Sequence, residues 1–148
     1  MEEAAPPRRI LVPVRGAPND DEAVRIGCRF ARRAKGKVFA ITVLEVRRAL
    51  ALGDLDQAHV EAGEGVLERA EQVGRELDTS VETELLQARE AGPAIVDELR
   101  EWRADLCVMG VPYRERFGEF HLGRTAPYVL RYAECRVLLL RDAAPEAD

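Results

Sequence analysis

The segment GVPYRERFGEFHLGRT, residues 110–125, carries the residues of this 148-residue chain that are best suited to bind an anion. Its glycines allow backbone amides to approach a ligand closely, and its arginines can each hold a phosphate or carboxylate through paired hydrogen bonds. Pro112 and Tyr113 count against a phosphate-binding loop, because proline lacks an amide proton and tyrosine adds bulk. Whether the segment binds a ligand therefore depends on the elements that position it.

Five short apolar runs predict the strands of a sheet. Most are nearly continuous in apolar residues, which is typical of strands covered on both faces. The third run alternates in polarity instead, so we expect it nearer the edge of the sheet. The five runs are Ile10–Val14, Val38–Leu44, Val81–Leu86, Leu106–Met109 and Val137–Leu140.

Four amphipathic segments between these runs predict helices. The first has the clearest start: Asn19 is expected to cap it, with Glu22 at the capping-box position. Asp20 and Asp21 in its first turn favour the positive end of the helix dipole. The four segments begin near residues 19, 56, 92 and 126 and end near residues 36, 77, 102 and 133.

The alternation of strands and helices predicts an α/β fold, a doubly wound five-stranded parallel sheet with helices on both faces. Residues 9–141 are expected to form this single domain, between a loose N-terminus at residues 1–8 and a loose acidic tail at residues 142–148. Such sheets bind ligands at the carboxyl ends of their strands, where the winding direction reverses. If the first and fourth strands are neighbours there, Arg15 and Gly110 face each other across one crevice.

The composition argues against several other classes of protein. The net charge of −5 disfavours non-specific binding to nucleic acid or to an anionic membrane. No apolar run approaches the roughly 20 residues that a membrane-spanning helix needs, and the N-terminus lacks the pattern of a signal peptide. We therefore expect a cytoplasmic protein.

Neither a metal site nor a catalytic nucleophile is expected. His121 has no partner at metal-ligand spacing, and Ser80, the only serine, has no neighbouring base. The three cysteines lack CxxC spacing, which favours buried free thiols. Catalytic activity therefore has little support from the sequence.

Several motifs occur together along this layout. They are Val12-Pro13-Val14 in the first strand, Val108-Met109-Gly110 ending the fourth, Gly123 thirteen positions later and Cys135 before the last strand. In these features the chain resembles the universal stress protein family, from Arg9 to Arg141. The resemblance implies a Rossmann-like fold, a role in the stress response and pairing of two subunits through the last strand.

The ATP-binding members of that family carry a loop of the form G-x2-G-x9-G-[ST], whose glycines and hydroxyl residue hold the phosphates. On this chain Gly110 and Gly123 match the first and third glycines of the loop. Tyr113 replaces the second glycine and Arg124 replaces the hydroxyl residue, while Thr125 offers a hydroxyl one position late. The resemblance therefore implies a degenerate version of the ATP-binding motif.

After the first strand, where those members carry an aspartate, this chain has Arg15. Binding of ATP in the standard family manner is therefore not expected, although ATP stays one candidate ligand. Arg15, Arg114, Arg116 and Arg124 can instead surround a small anion at the start of the fourth helix. Alternatively, Arg114 and Arg116 pair with neighbouring glutamates or face water, and Arg15 fills the crevice with a salt bridge.

Three functional hypotheses stay open at this point. The first is a binding or regulatory domain of the stress response without robust catalytic activity. The second is a nucleotide-binding member, with weak or no ATP hydrolysis, that holds phosphates with the two loop glycines, Arg124 and Thr125. The third is a structural or interaction module whose crevice is plugged by Tyr113 and Arg15.

The last strand indicates a protein partner. Its apolar residues are Val137, Leu138, Leu139 and Leu140. At the edge of a monomeric sheet this strand would offer unpaired backbone groups, so a homodimer through it is expected. The alternative is that helices cover its faces and that Arg136 and Arg141 keep the edge monomeric.

Overall fold

A computed structural model describes residues 5–53 and 55–144 and confirms the predicted doubly wound α/β fold. Each predicted strand and helix is present, with boundaries that differ by a few residues. The helices in the described residues are α1 (Asp20–Ala34), α2 (Gln57–Glu76), α3 (Ala91–Glu101) and α4 (Thr125–Tyr132). The strands are β1 (Arg9–Pro13), β2 (Lys37–Glu45), β3 (Val81–Ala88), β4 (Leu106–Val111), β5 (Glu115–Arg116), β6 (Glu119–Phe120) and β7 (Arg136–Arg141).

The main sheet is parallel and has the strand order β3-β2-β1-β4-β7. The predicted neighbours β1 and β4 pair at only two positions, Ile10 with Leu106 and Leu11 with Cys107. Beyond them β1 stays with β2 as far as Pro13, and β4 stays with β7 as far as Val111. The two central strands therefore separate towards their carboxyl ends, which opens a crevice at the point where the winding reverses.

Two apolar cores, one on each face, explain why the strands read as continuous apolar runs. On one face, Ile10 and Val12 pack with residues of α1 and α2, and on the other face Leu11 packs with residues of α3 and α4. All three of these β1 side chains are fully buried. Since both faces of β1 are covered, alternation with polar residues is excluded there.

A small hairpin of β5 and β6 lies inside the segment that the sequence indicated as one loop. It turns at Phe117 and Gly118, whose φ angles of 54° and 77° are both in the left-handed region. Such a two-residue turn matches the twist of antiparallel strands, and it favours asparagine or glycine. Phe117 occupies the turn with 98% of its surface exposed.

The predicted loose ends fall partly outside the described residues, namely at residues 1–4 and 145–148. Arg8, included in the predicted N-terminal segment, is held by its backbone: its amide donates to Asp105 and its carbonyl accepts from Lys37. Among the described residues, no helix is long and apolar enough to cross a membrane.

Candidate functional site

The crevice between β1 and β4 has a volume of about 210 Å³. Its floor is apolar and includes Val43, Ile95 and Met109. Its rim is charged, and the charged residues that line it are Arg15, Asp20, Glu45, Arg114 and Arg124. An apolar floor with a few polar groups at the rim is typical of a ligand site.

Gly110 lines the crevice, and another side chain fills the space that a side chain at position 110 would need. A Cβ atom at this position would overlap Asn19 Oδ1 and would lie 2.7 Å from Asn19 Cγ. Asn19 is buried, and its Nδ2 donates to the carbonyl oxygens of Val111, at 3.0 Å, and Leu140, at 3.2 Å. The predicted capping box is therefore wrong: the Asn19 side chain caps no helix amide and instead joins the ends of β4 and β7.

Asp20 organises the turn that follows β1. Its Oδ2 accepts hydrogen bonds from the backbone amides of Arg15, Gly16 and Ala17, at 3.0, 2.7 and 3.1 Å. Burial raises the pKa of the Asp20 carboxyl, while the three amides and the Arg15 charge act in the opposite direction. The amides at the end of β1 are thus already occupied by a carboxylate of the chain, so a ligand anion must be held elsewhere on the rim.

The rim arginines form no close ion pair with the described carboxylates. Among the described residues, none of Arg15, Arg114 and Arg124 has a carboxylate oxygen within 4.0 Å. The salt bridge expected as an alternative for Arg15 is therefore not found among those residues. Arg116 lies in β5 and does not line the crevice.

Tyr113 also lies away from the crevice lining. Its ring packs against Phe120 with centroids 5.6 Å apart, and the Arg141 guanidinium carbon lies 5.2 Å from its centroid. Its hydroxyl donates to Glu115 at 2.6 Å. Tyr113 therefore does not fill the crevice, as the plugged-crevice hypothesis required, but fixes the hairpin against β7.

The start of α4 presents backbone donors to the crevice. Gly123 precedes it with a φ angle of 76°, and its amide donates to His121 Nδ1 at 2.9 Å. Thr125 and Ala126 line the crevice, and their amides have no acceptor in the described part of the chain. Such first-turn amides attract anions, because they carry the positive end of the helix dipole.

Two site residues, Asp20 and Glu45, escaped the sequence interpretation. Glu45 ends β2, next to β1 in the sheet, and it shares a smaller recess of about 120 Å³ with Arg124 and Tyr128. Its position as the first charged residue after a buried strand was the available signal, because such residues collect at the carboxyl edge of a parallel sheet. Asp20 gave no comparable signal, since an acidic residue in a first helical turn is ordinarily explained by the dipole.

The thiols do not contribute to this site. Cys28 and Cys107 are fully buried, as predicted, and burial raises the pKa of each. Cys135 is half-buried and lies at the other end of the sheet. Within residues 5–53 and 55–144, no cluster of histidine, cysteine and carboxylate side chains could hold a metal ion.

The sequence of this chain is similar to those of known proteins. The model of the universal stress protein family matches residues 6–141. A universal stress protein of Methanocaldococcus jannaschii is 26% identical over 145 residues, which cover 94% of this chain and 85% of that protein.

Solved structures share the fold. The universal stress protein from Archaeoglobus fulgidus in complex with dAMP has a TM-score of 0.72 at 22% identity, covering 89% of this chain and 96% of that chain. A universal stress protein family protein from Arabidopsis thaliana with AMP bound has a TM-score of 0.68 at 17% identity, covering 93% and 94% of the two chains. At these identities the structures show a common fold.

Proposed function

The chain belongs to the universal stress protein family, and we propose that it is a ligand-binding regulatory protein of the stress response whose crevice holds a nucleoside monophosphate. One observation carries this proposal: three rim arginines that form no ion pair among the described residues line the same crevice as the first turn of α4, whose amides have no acceptor there. Guanidinium groups and helix amides are both good ligands for a phosphate. The AMP and dAMP bound by proteins of the same fold support this class of ligand.

The size of the crevice favours a monophosphate over ATP. Its volume of about 210 Å³ is below the roughly 300–1,000 Å³ of ordinary ligand pockets. Tyr113 and Arg124 replace two residues of the triphosphate-binding motif, and Asp20 already occupies the amides after β1. One phosphate at Arg124 and the first-turn amides of α4 uses the donors that are left.

The remaining contacts suggest how such a ligand lies. The apolar floor, with Val43, Ile95 and Met109, suits the flat face of a base. Glu45 at the end of β2 can accept hydrogen bonds from ribose hydroxyl groups or from an exocyclic amine. Arg15 faces the same space and supplies a second charge for the phosphate.

Isothermal titration calorimetry with AMP, ATP and inorganic phosphate tests the proposal. AMP is expected to bind saturably, more tightly than phosphate and no less tightly than ATP. Arg124→Glu is expected to weaken AMP binding by about tenfold or more, since one attractive charge becomes repulsive. Arg131→Glu is the matched control, because Arg131 is exposed near the other end of α4, the helix that Arg124 precedes, and does not line the crevice.

Three results would contradict the proposal. Flat titrations with AMP would remove the ligand. Equal losses in Arg124→Glu and Arg131→Glu would show that only net charge matters. ATP binding well above AMP binding would favour the second hypothesis, a member that binds the triphosphate.

We further propose that two copies pair through β7. This strand has β4 as its only neighbour in the described sheet, and Leu138 on it is 39% exposed. Leu130 and Tyr132, on the adjoining α4, are also large and exposed, at 48% and 47%. An uncovered edge with apolar side chains is a ready template for a second strand.

Light scattering coupled to gel filtration tests the dimer. The wild-type chain is expected to have twice the mass of the monomer, and Leu138→Lys is expected to shift it to the monomer. Leu52→Lys is the control, because Leu52 is 57% exposed and lies in the segment between β2 and α2. A monomeric wild type, or dissociation by both variants, would contradict pairing through β7.

A further inference from the structure

A second and larger recess lies at the opposite end of the sheet. It is found where β1, β4 and β7 begin and α3 ends, and its volume is about 660 Å³. That volume is within the range of ordinary ligand pockets. We call it the basal recess; Arg8, Arg100, Arg103 and Arg136 line it, with Val96 and Leu99 beneath them.

The two carboxylates that line the basal recess are already engaged. Asp105 Oδ2 accepts hydrogen bonds from the backbone amides of Arg8 and Arg9, at 3.0 and 2.9 Å. Glu134 Oε1 accepts from Arg100 Nε at 3.3 Å. Only one of the four arginines of the recess is therefore matched by a carboxylate there.

The other three arginines form no ion pair with the described carboxylates. Arg8, Arg103 and Arg136 have no carboxylate oxygen within 4.0 Å in residues 5–53 and 55–144. Arg9 shows the contrast, since its Nε donates to the Trp102 carbonyl at 2.9 Å and its guanidinium carbon lies 4.1 Å from the indole centroid. Arg9 is thus committed to the fold, whereas the three recess arginines are exposed and line the recess.

We propose that the basal recess is a second ligand site, separate from the crevice, and that it binds a small-molecule phosphate carrying at least two negative charges. Three arginines that line one recess can offer more paired donors than a single phosphate oxygen pair needs. They match a pyrophosphate or a bisphosphate, whose charge is spread over two groups.

Cys135 provides a local reporter, because it lines the recess and is half-buried, while Cys28 and Cys107 are fully buried. The experiment measures the rate at which a neutral reagent, iodoacetamide, alkylates Cys135 in the native protein at increasing pyrophosphate concentrations. Peptide mass spectrometry identifies the modified cysteine. Pyrophosphate is expected to slow alkylation saturably, and the protection is expected to weaken at high salt.

Arg103→Glu is expected to raise the pyrophosphate concentration needed for half protection by about tenfold or more. Arg33→Glu is the matched control, because Arg33 is likewise exposed near the end of a helix but lies outside the recess. Arg124→Glu tests the crevice separately and is expected to leave the protection unchanged. This proposal and the one for the crevice can thus fail independently.

The inference is overturned by any of three results. The first is that pyrophosphate does not slow the alkylation of Cys135, and the second is that Arg103→Glu and Arg33→Glu shift the protection equally. The third is that Arg124→Glu abolishes the protection while Arg103→Glu preserves it. The last result would assign the effect to a ligand in the crevice. Alkylation rates without pyrophosphate, and circular dichroism of each variant, confirm that the variants compared are folded.

Discussion

Gly110→Ala and Asn19→Ala together test whether Gly110 is required by the fold or by a ligand. A methyl group at position 110 would overlap Asn19 Oδ1 and would lie 2.7 and 2.9 Å from Asn19 Cγ and Nδ2. The Asn19 side chain has no freedom to retreat, because it is buried and its Nδ2 is bonded to two carbonyl oxygens. Gly110→Ala is therefore expected to destabilise the protein in the absence of any ligand.

The magnitudes follow from overpacking and from lost hydrogen bonds. Gly110→Ala should cost about 1–3 kcal/mol, the usual range for inserting a methyl group into packed structure. Asn19→Ala should cost about 2–4 kcal/mol, because it removes the donor from the carbonyls of Val111 and Leu140. In the double variant the methyl group occupies the space that Asn19 vacates, so the total should stay close to that of Asn19→Ala alone.

Urea unfolding followed by circular dichroism measures these free energies of unfolding. The expected coupling energy between the two sites is about 1–3 kcal/mol, in the range seen for residues in contact. Each kcal/mol corresponds to a shift of about 2–4 °C in Tm for a chain of this length. Additive costs in the double variant, or a Gly110→Ala variant as stable as the wild type, would refute the steric reasoning.

Three further predictions concern stability. Burial raises the pKa of Asp20 above its unfolded value, so the native state binds more protons at this group and its contribution to stability falls as the pH rises from below 3.8 through the raised pKa. The free energies of unfolding of the wild type and Asp20→Asn, measured from pH 3 to 6, should therefore show the asparagine variant becoming more stable relative to the wild type as the pH rises. The opposite slope would contradict the assignment. Phe117→Asn should stabilise the β5–β6 hairpin by up to about 1 kcal/mol, since asparagine tolerates the left-handed backbone better, and slower amide exchange in the hairpin would show it. In α2, Gly65→Ala should stabilise the protein by about 0.5–1 kcal/mol, because a Cβ atom there meets no atom within 4 Å. Gly74→Ala should destabilise the protein, because its Cβ atom would lie 2.7 Å from the Thr79 carbonyl oxygen. Thermal melts of the two variants test this difference, and equal shifts in Tm would contradict it.

The fold could be predicted from the sequence because its apolar runs and amphipathic segments are local and repeated signals. The inner strands β1 and β2 are covered on both faces, so their runs Ile10–Val14 and Val38–Leu44 contain almost no polar residue. The alternating third run does form an edge strand, β3. The placement of Arg15 and Gly110 on one crevice followed from the general rule for the reversal of winding in such sheets.

The site was harder to predict because its side chains contact residues that are far away in the sequence. Asn19 has the position of a helix cap, and only the folded chain shows that its partners are Val111 and Leu140. Gly110 matches the first glycine of a phosphate loop, yet its lack of a side chain is already demanded by Asn19. A glycine in a motif can thus be kept by packing alone.

The hairpin escaped prediction for a different reason. A two-residue turn of this geometry is usually signalled by asparagine or aspartate before glycine, and here Phe117 stands in that place. Since local preference and structure disagree at Phe117, the pairing of β5 with β6 must be supported by other contacts. Tyr113, Phe120 and Arg141 provide them on one side of the hairpin.

The amide of Asn19 gives the molecule a short mechanical connection between its crevice and its edge. One nitrogen atom holds a carbonyl of β4 at the crevice wall and a carbonyl of β7, the edge strand. Any displacement of Asn19 Nδ2 would change both hydrogen bonds at once. The crevice wall and the strand proposed to pair two copies are therefore joined by this one side chain as well as by the direct pairing of β4 with β7.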